Sequence, residues 1–267
     1  MNILAFFAHP DDETMLIGAT LALAASRANV TLLCATRGEG GETGVPPLCS
    51  REELGTVRSE ELRCASKELG AKELLFLGYV DPIVGPEDAL YPFTQDEERL
   101  AQEVAEAVLR VEADVILSHG SNGEYGHPAH TLCHRSTWRA LEILGDRAPL
   151  FYTPHAIFPD HPHPRMANAS DPAHLILDLE QYREQKTAAA FCHRTQNALF
   201  VRRPSQELGR PVTIPEVVSV LESVHRAYPP LPAGEPAQDA FASLLRSSGA
   251  ARENSAWIDS GHVPAGD

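Results

Sequence analysis

Short runs of apolar, β-prone residues alternate with longer stretches of helical period along the first two thirds of the chain. Ile3 to Phe7 reads as a buried strand, and Thr14 to Arg27 carries Met15, Leu16, Ala19, Leu21, Leu23 and Ala24 without a proline, which predicts a helix. Val30 to Ala35 is a second strand. A glycine-rich loop, Gly38 to Gly44, passes Pro46 and Pro47 into a charged helix from about Ser50 to Leu69, with Gly70 in the C-terminal capping position. Leu74 to Leu77 is a third strand, and Asp96 to Glu112 a surface helix whose inward stripe is Leu100, Val104, Ala107, Val108 and Val111. Asp114 to Ser118 is a fourth strand, followed by a polar turn, His119 to Gly126, and a helix from Pro128 to Leu144.

Further on, strands at Leu150 to Thr153 and Leu175 to Leu179 flank a Pro- and His-rich loop, Pro154 to Pro172, and Glu180 to Cys192 has helical period. Strand and helix taking turns in this way predict an α/β, Rossmann-like fold: a mostly parallel sheet with helices on both faces. That pattern defines a domain over residues 1–202. Residues 203–267 read as an extension, with an amphipathic segment Pro215 to Tyr228 and a Pro-rich linker Tyr228 to Pro236, expected to be a helix pair or partly disordered.

The chain of 267 residues carries 37 Asp and Glu against 22 Lys and Arg, a formal charge of −15. Such a surface repels nucleic acid and anionic lipid alike. No apolar run is long enough to span a bilayer and no signal peptide is legible, so a cytoplasmic location is the default expectation. Cys34, Cys49, Cys64, Cys133 and Cys192 form an odd set without CxxC spacing and read as reduced packing residues. Any metal is then held by nitrogen and oxygen.

Two clusters carry chemistry. In AHPDDE, His9 stands where the first strand ends, and Asp11 and Asp12 open the next helix at the sheet edge where open α/β folds bind ligands. The helix N-terminus favours ionised carboxylates, and the turn of about 100° between neighbouring residues aims the two acids differently. The second cluster, GHPAH, again follows a strand and opens a helix. It puts His127 and His130 on one helical face, and His134 lies on that face too. His9, Asp12 and one of these histidines make three protein ligands with a position left for water, the composition of a catalytic zinc site. The remaining histidine and Asp11 then flank the water, which describes a metal-assisted hydrolase. The Gly38 to Gly44 loop lacks the features of a phosphate loop, and Ser121 in HGSNG lacks those of a nucleophile elbow. His155, His161 and His163, set among prolines, read as solvated surface.

On these residues the sequence resembles the LmbE-like, or PIG-L, family of metal-dependent N-deacetylases acting on N-acetylglucosamine conjugates. The likeness runs in motif order through AHPDDE, the glycine loop, Arg58 and Glu61, LGYVD with Asp81, YGHPAH, Lys186 and HRTQ at His193 to Gln196. It implies Zn2+, with Fe2+ as the alternative metal, on His9, Asp12 and His130, Asp11 as general base, and His127 as general acid and oxyanion stabiliser. Arg58 and Asp81 match positions that hold the sugar, and Tyr125 a mobile tyrosine near the oxyanion. Ala129 departs from the family's HPDH, removing a carboxylate from the catalytic imidazole, and Thr195 replaces the usual serine. The implied partner is a small N-acetylated amino-sugar conjugate; thiol precursors linking glucosamine to malate or inositol come first, as in the bacillithiol and mycothiol pathways, and chitin-type oligosaccharides second. Family members occur as monomers and as homo-oligomers.

Two histidines and a carboxylate also describe the facial triad of non-haem Fe(II) oxygenases. The paired second acid and the α/β pattern argue against that class. A metal- or sugar-binding protein without turnover is the third reading, because Ala129 breaks the family pattern.

Overall fold

Strand β1 (Asn2–Phe7) lies inside the sheet, and its alternating side chains feed two separate cores. Ile3, Ala5 and Phe7 face one cluster, while Leu4 and Phe6 face the other. That period-two division is why the strand reads as continuously apolar: both of its faces are covered. The computed structural model describes residues 1–260.

After β1 come α1 (Asp12–Ala25), β2 (Asn29–Thr36), α2 (Leu54–Glu68), β3 (Glu73–Tyr79), α3 (Glu97–Val111) and β4 (Val115–Ser118). Next are a four-residue helix α4 (Gly123–Gly126), α5 (Pro128–Leu144), β5 (Leu150–Pro154), β6 (Ala156–Ile157), β7 (Asn168–Pro172) and β8 (Leu175–Asp178). The chain then forms α6 (Arg183–Cys192), α7 (Asn197–Leu208), α8 (Ile214–Val217), β9 (Leu221–Tyr228), α9 (Ala240–Arg246), β10 (Ala251–Glu253) and α10 (Ser255–Ser260). The main sheet has eight strands in the order β10-β8-β9-β5-β4-β1-β2-β3. The run from β5 to β3 is parallel, β9 is antiparallel to both β5 and β8, and β10 is antiparallel to β8. The strand order reverses between β1 and β4. Ligands in open α/β sheets bind outside the strand ends at such a point, and His9 and His119 both lie there.

Four expectations change. Pro215 to Tyr228 is a short helix followed by β9, which lies between β5 and β8 in the main sheet. Its buried positions on the two faces include the polar residues Glu222 and Ser223, which hide the strand's alternation from a hydropathy reading. The 202/203 boundary falls inside α7. Cys64 and Cys192, 128 residues apart, form a disulfide joining α2 to the end of α6, a pairing made by helix packing that sequence spacing does not carry. Cys34, Cys49 and Cys133 are free. Finally, His155 and His161 are buried and His163 is half-buried, because the 154–172 loop folds back against α1 and β9 rather than outward. Among the described residues no helix is long and apolar enough to cross a membrane.

Helix α1 breaks at Ile17 (φ −151°, ψ 23°). The amides freed there are taken up by the Glu222 carboxylate, which accepts from Ala19 N (2.9 Å) and Thr20 N (2.7 Å). Lys186 Nζ, also buried, pairs with the same carboxylate at 2.7 Å. A kink is thus capped by a strand from the C-terminal part of the chain.

Candidate active site

Where β1 ends, Pro10 stops the strand and Asp11 takes the left-handed conformation (φ 113°, ψ −26°), a costly one for a residue with a Cβ. Several contacts hold it. Its carbonyl accepts from Thr14 N and Met15 N, starting α1. Its N–H donates to Glu13 Oε2 at 2.9 Å, and the other Glu13 oxygen lies 2.9 Å from His193 Nε2 and 2.5 Å from Thr14 Oγ1. The Asp11 carboxylate receives Arg58 Nη2 at 3.1 Å, and that guanidinium also donates to the carbonyls of Pro10 (2.5 Å) and Gly38 (2.9 Å). Gly38 (φ 68°) and Gly41 are glycines for a steric reason: a Cβ at either would collide with Arg58. The glycine loop is therefore the cradle of one arginine. Burial pushes the Asp11 carboxyl up to about 6 against the pull of Arg58.

Asp12 projects the other way. Its Oδ2 accepts from His9 N (2.9 Å) and lies 3.4 Å from His9 Nδ1, while Oδ1 is 3.3 Å from His130 Nε2. His9, His127 and His130 bring one ring nitrogen each within 4.8 Å of one another, and Asp12, His119 and His130 do the same with a carboxylate oxygen and two ring nitrogens. Burial disfavours charge on His9, but Asp12 and Asp81 outweigh it and hold the imidazole up to about 9; Asp12 and Glu124 likewise hold His130 up to about 10. Ligation requires the bound nitrogens deprotonated, so metal uptake here would release protons.

His119 is a weaker ligand candidate. Its Nε2 accepts the backbone N–H of Ala8 (3.0 Å), so its lone pair is engaged, and its Nδ1 contacts Glu124 Oε2 at 2.9 Å. His130 differs: Nδ1 is 2.7 Å from the same Glu124 oxygen, and the buried Nε2 has no hydrogen-bond partner among the described residues. An imidazole anchored through one nitrogen with the other bare and facing a carboxylate is the form a metal ligand takes. The donor set fits a borderline divalent ion.

His134 Nδ1 bonds the His119 carbonyl (2.9 Å) and its ring packs on Phe151, outside the cluster, so the choice left open among three histidines narrows to His127 and His130. His127 caps α5, its Nδ1 accepting Ala129 N–H at 3.1 Å. A backbone amide only donates, so the ring proton sits on Nε2. Burial, with His130 and His9 nearby, pushes His127 down to about 3. With Nδ1 accepting an amide proton the His127 imidazole is neutral in this structure, and no carboxylate hydrogen-bonds it among the described residues. Tyr125 is exposed, its ring 5.7 Å from that of His127. Asp81 is buried, with Oδ1 3.2 Å from His9 Nε2 and Oδ2 accepting from Gly40 N.

The sequence reading missed four supporting residues: Glu124, His119, Glu13 and His193. Glu124 (φ 60°) carries no spacing signal, since it reaches back over a tight turn. Glu13 and His193 stood inside quoted motifs with no role given, because the contact between them spans 180 residues. HRTQ is a fastening: Thr195 N and Oγ1 donate to Glu61, and Gln196 Nε2 to the Glu42 carbonyl.

Comparison with known proteins gives the family. The PIG-L family profile, GlcNAc-PI de-N-acetylase, matches residues 4–141. The 1D-myo-inositol 2-acetamido-2-deoxy-alpha-D-glucopyranoside deacetylase of Streptomyces griseus is 30% identical over 91% of this chain and 89% of its own length. Among solved structures, the 4-carboxy-2-hydroxymuconate hydratase of Pseudomonas putida aligns with a TM-score of 0.58 at 21% identity, over 86% of this chain and 98% of that one. The N,N'-diacetylchitobiose deacetylase of Pyrococcus horikoshii aligns at 0.56 and 15%, over 84% of each chain. The two structures share the fold; the sequence match over both motif clusters goes further, and the chain belongs to the PIG-L family of LmbE-like proteins.

Proposed function

We propose that the protein is a metal-dependent amide hydrolase that removes acetyl from an N-acetylglucosamine conjugate, with an inositol-linked sugar as the first substrate to test. The observation that carries this reading is the division of labour at the helix start: Asp12 faces His9 and His130, while Asp11, one residue earlier, is turned toward Arg58 with a raised pKa. His9, Asp12 and His130 would hold the ion, Zn2+ or Fe2+, which when bound polarises the acetamide carbonyl and acidifies water.

The protein's own groups do the remaining work. Asp11 takes the proton of the attacking water and returns it to the departing sugar nitrogen. Its strained backbone and the Arg58 bond fix the carboxylate for that transfer. His127, with its proton on Nε2, donates a hydrogen bond to the developing oxyanion as a neutral imidazole, so Ala129 in place of an acid leaves that donor intact. Tyr125 closes over the same place. Arg58 and Asp81 are the candidate sugar contacts, although both are buried and already engaged by Asp11 and His9.

The parallel α/β sheet and the family assignment give the oxygenase reading no support. Of the malate and inositol conjugates, the inositol one comes first because the Streptomyces griseus relative carries that substrate in its name. Free-amine formation from GlcNAc–inositol, GlcNAc–malate and N,N'-diacetylchitobiose, compared by kcat/KM, tests the assignment. Amine released fastest from the inositol conjugate supports it, and none from any of the three contradicts deacetylation.

A further inference from the structure

Two elements far apart in sequence hold Asp11, and one covalent bond joins them. Arg58 on α2 donates to the Asp11 carboxylate at 3.1 Å, and Cys64 follows on the same helix. At the end of α6, Cys192 precedes His193, whose Nε2 lies 2.9 Å from Glu13 Oε1, while the other Glu13 oxygen accepts the Asp11 N–H at 2.9 Å. The Cys64–Cys192 disulfide closes this circuit: α2 holds the Asp11 carboxylate, the end of α6 holds its backbone through Glu13, and the cross-link ties the two holders together. Beside it, Glu61 on α2 accepts Thr195 N (2.9 Å) and Oγ1 (2.7 Å) from the segment after Cys192. A reacting group displaced by about 1 Å loses up to about 100-fold in rate, so a bond that fixes the spacing of its holders bears on turnover.

The cross-link is also open to attack from one side. Cys64 is exposed, whereas Cys192 is buried. A small thiolate attacking Cys64 Sγ forms a mixed disulfide and expels the Cys192 thiolate. A second thiolate then attacks the external sulfur of that mixed disulfide, expels the Cys64 thiolate and leaves as the external disulfide. Two electrons enter the protein, and the protons of the two external thiols end on Cys64 and Cys192. Cys34, Cys49 and Cys133 are free and take no part in the bond.

We propose that the Cys64–Cys192 disulfide is a positioning cross-link for Asp11, and that its reduction by a low-molecular-weight thiol slows turnover by loosening the α2 and α6 holders without releasing metal. Only the kinetic arm of the test rests on the amide-hydrolase reading; hydrogen exchange is read without substrate. Zn2+-loaded protein purified without reductant is expected to show three thiols after denaturation, and five after treatment with a phosphine, a reductant chosen because it adds no thiol ligand for the metal. Reduction is expected to lower kcat on GlcNAc–inositol by about threefold or more with KM and bound Zn2+ unchanged. Amide exchange is expected to speed up by about tenfold or more in peptides covering residues 11–15 and 193–196, and not in β1 or β4. Reoxidation restores both. Cys64→Ser, at an exposed position that tolerates serine, is expected to behave like the reduced wild type and to ignore the phosphine. Five thiols without reductant overturn the proposal. So do an unchanged kcat in the reduced enzyme, unchanged exchange at both segments, a uniform rise of exchange across the chain, or loss of Zn2+ with the bond. If no form releases amine, the deacetylase reading fails and exchange alone decides the cross-link, a local rise supporting it and no rise overturning it.

Discussion

One carboxylate oxygen of Glu124 stands 2.7 Å from Nδ1 of His130 and thereby fixes the tilt of the imidazole whose Nε2 faces Asp12. The same oxygen lies 2.9 Å from His119 Nδ1, and the second accepts Gly120 N, so the acid is fully used. Carboxylates behind a ligating histidine raise its basicity and hold its orientation. Glu124→Gln is expected to lower metal affinity by about 10–100-fold in chelator competition, with the far-ultraviolet circular dichroism unchanged. Unaltered affinity would remove Glu124 from the metal-holding machinery.

Glu13 and His193 act on Asp11 through its backbone. The φ of 113° costs on the order of 1–3 kcal/mol and persists because the Asp11 N–H is taken by Glu13, itself braced by His193. Glu13→Gln keeps the shape and weakens the acceptor. The expected outcome is a kcat at least tenfold lower with metal content intact. A variant that loses its metal and keeps its kcat once reloaded would show that Glu13 serves the ligands and not the base.

Arg58 tunes the pH profile. Its positive charge favours ionised Asp11, opposing the burial that raises the carboxyl. Removing that charge raises the pKa, so the acid limb of kcat/KM is expected to move to higher pH in Arg58→Gln, whatever absolute value the bound metal sets. A limb that stays in place while only KM rises would assign Arg58 to the sugar alone.

The buried Lys186–Glu222 pair is expected to matter for stability far from the chemistry. Removing one partner leaves an uncompensated charge and frees the α1 amides at the kink. Glu222→Gln should cost about 3–5 kcal/mol in denaturant unfolding. A loss below about 1 kcal/mol would mean that water reaches the pair and the kink is not held by it.

Much of this was legible early, for identifiable reasons. The β1 residues Ile3 to Phe7 and the α3 stripe around Leu100 and Val104 are spelled by periodicity, and AHPDDE and GHPAH mark strand-to-helix turns by their prolines and acids. What stayed hidden depended on contacts distant in sequence. β9 looked amphipathic because Glu222 faces inward to serve α1, and Cys64 meets Cys192 only because α2 packs on α6. The neutral state of His127 follows from burial beside His130 and His9 and from Nδ1 accepting the Ala129 N–H, none of which a motif displays.

The most direct test of the account is release of glucosamine-type amine from GlcNAc–inositol by chelator-stripped protein titrated with Zn2+, run in parallel on Asp11→Asn and His130→Ala. The stripped wild type should be inactive and regain turnover as the metal returns. D11N should bind metal at the His9, Asp12 and His130 cluster yet turn over at least 100-fold more slowly, and H130A should fail to bind there. Undiminished amine release by the stripped protein, or a wild-type rate in D11N, would contradict the assignment of Asp11 and the metal to this reaction.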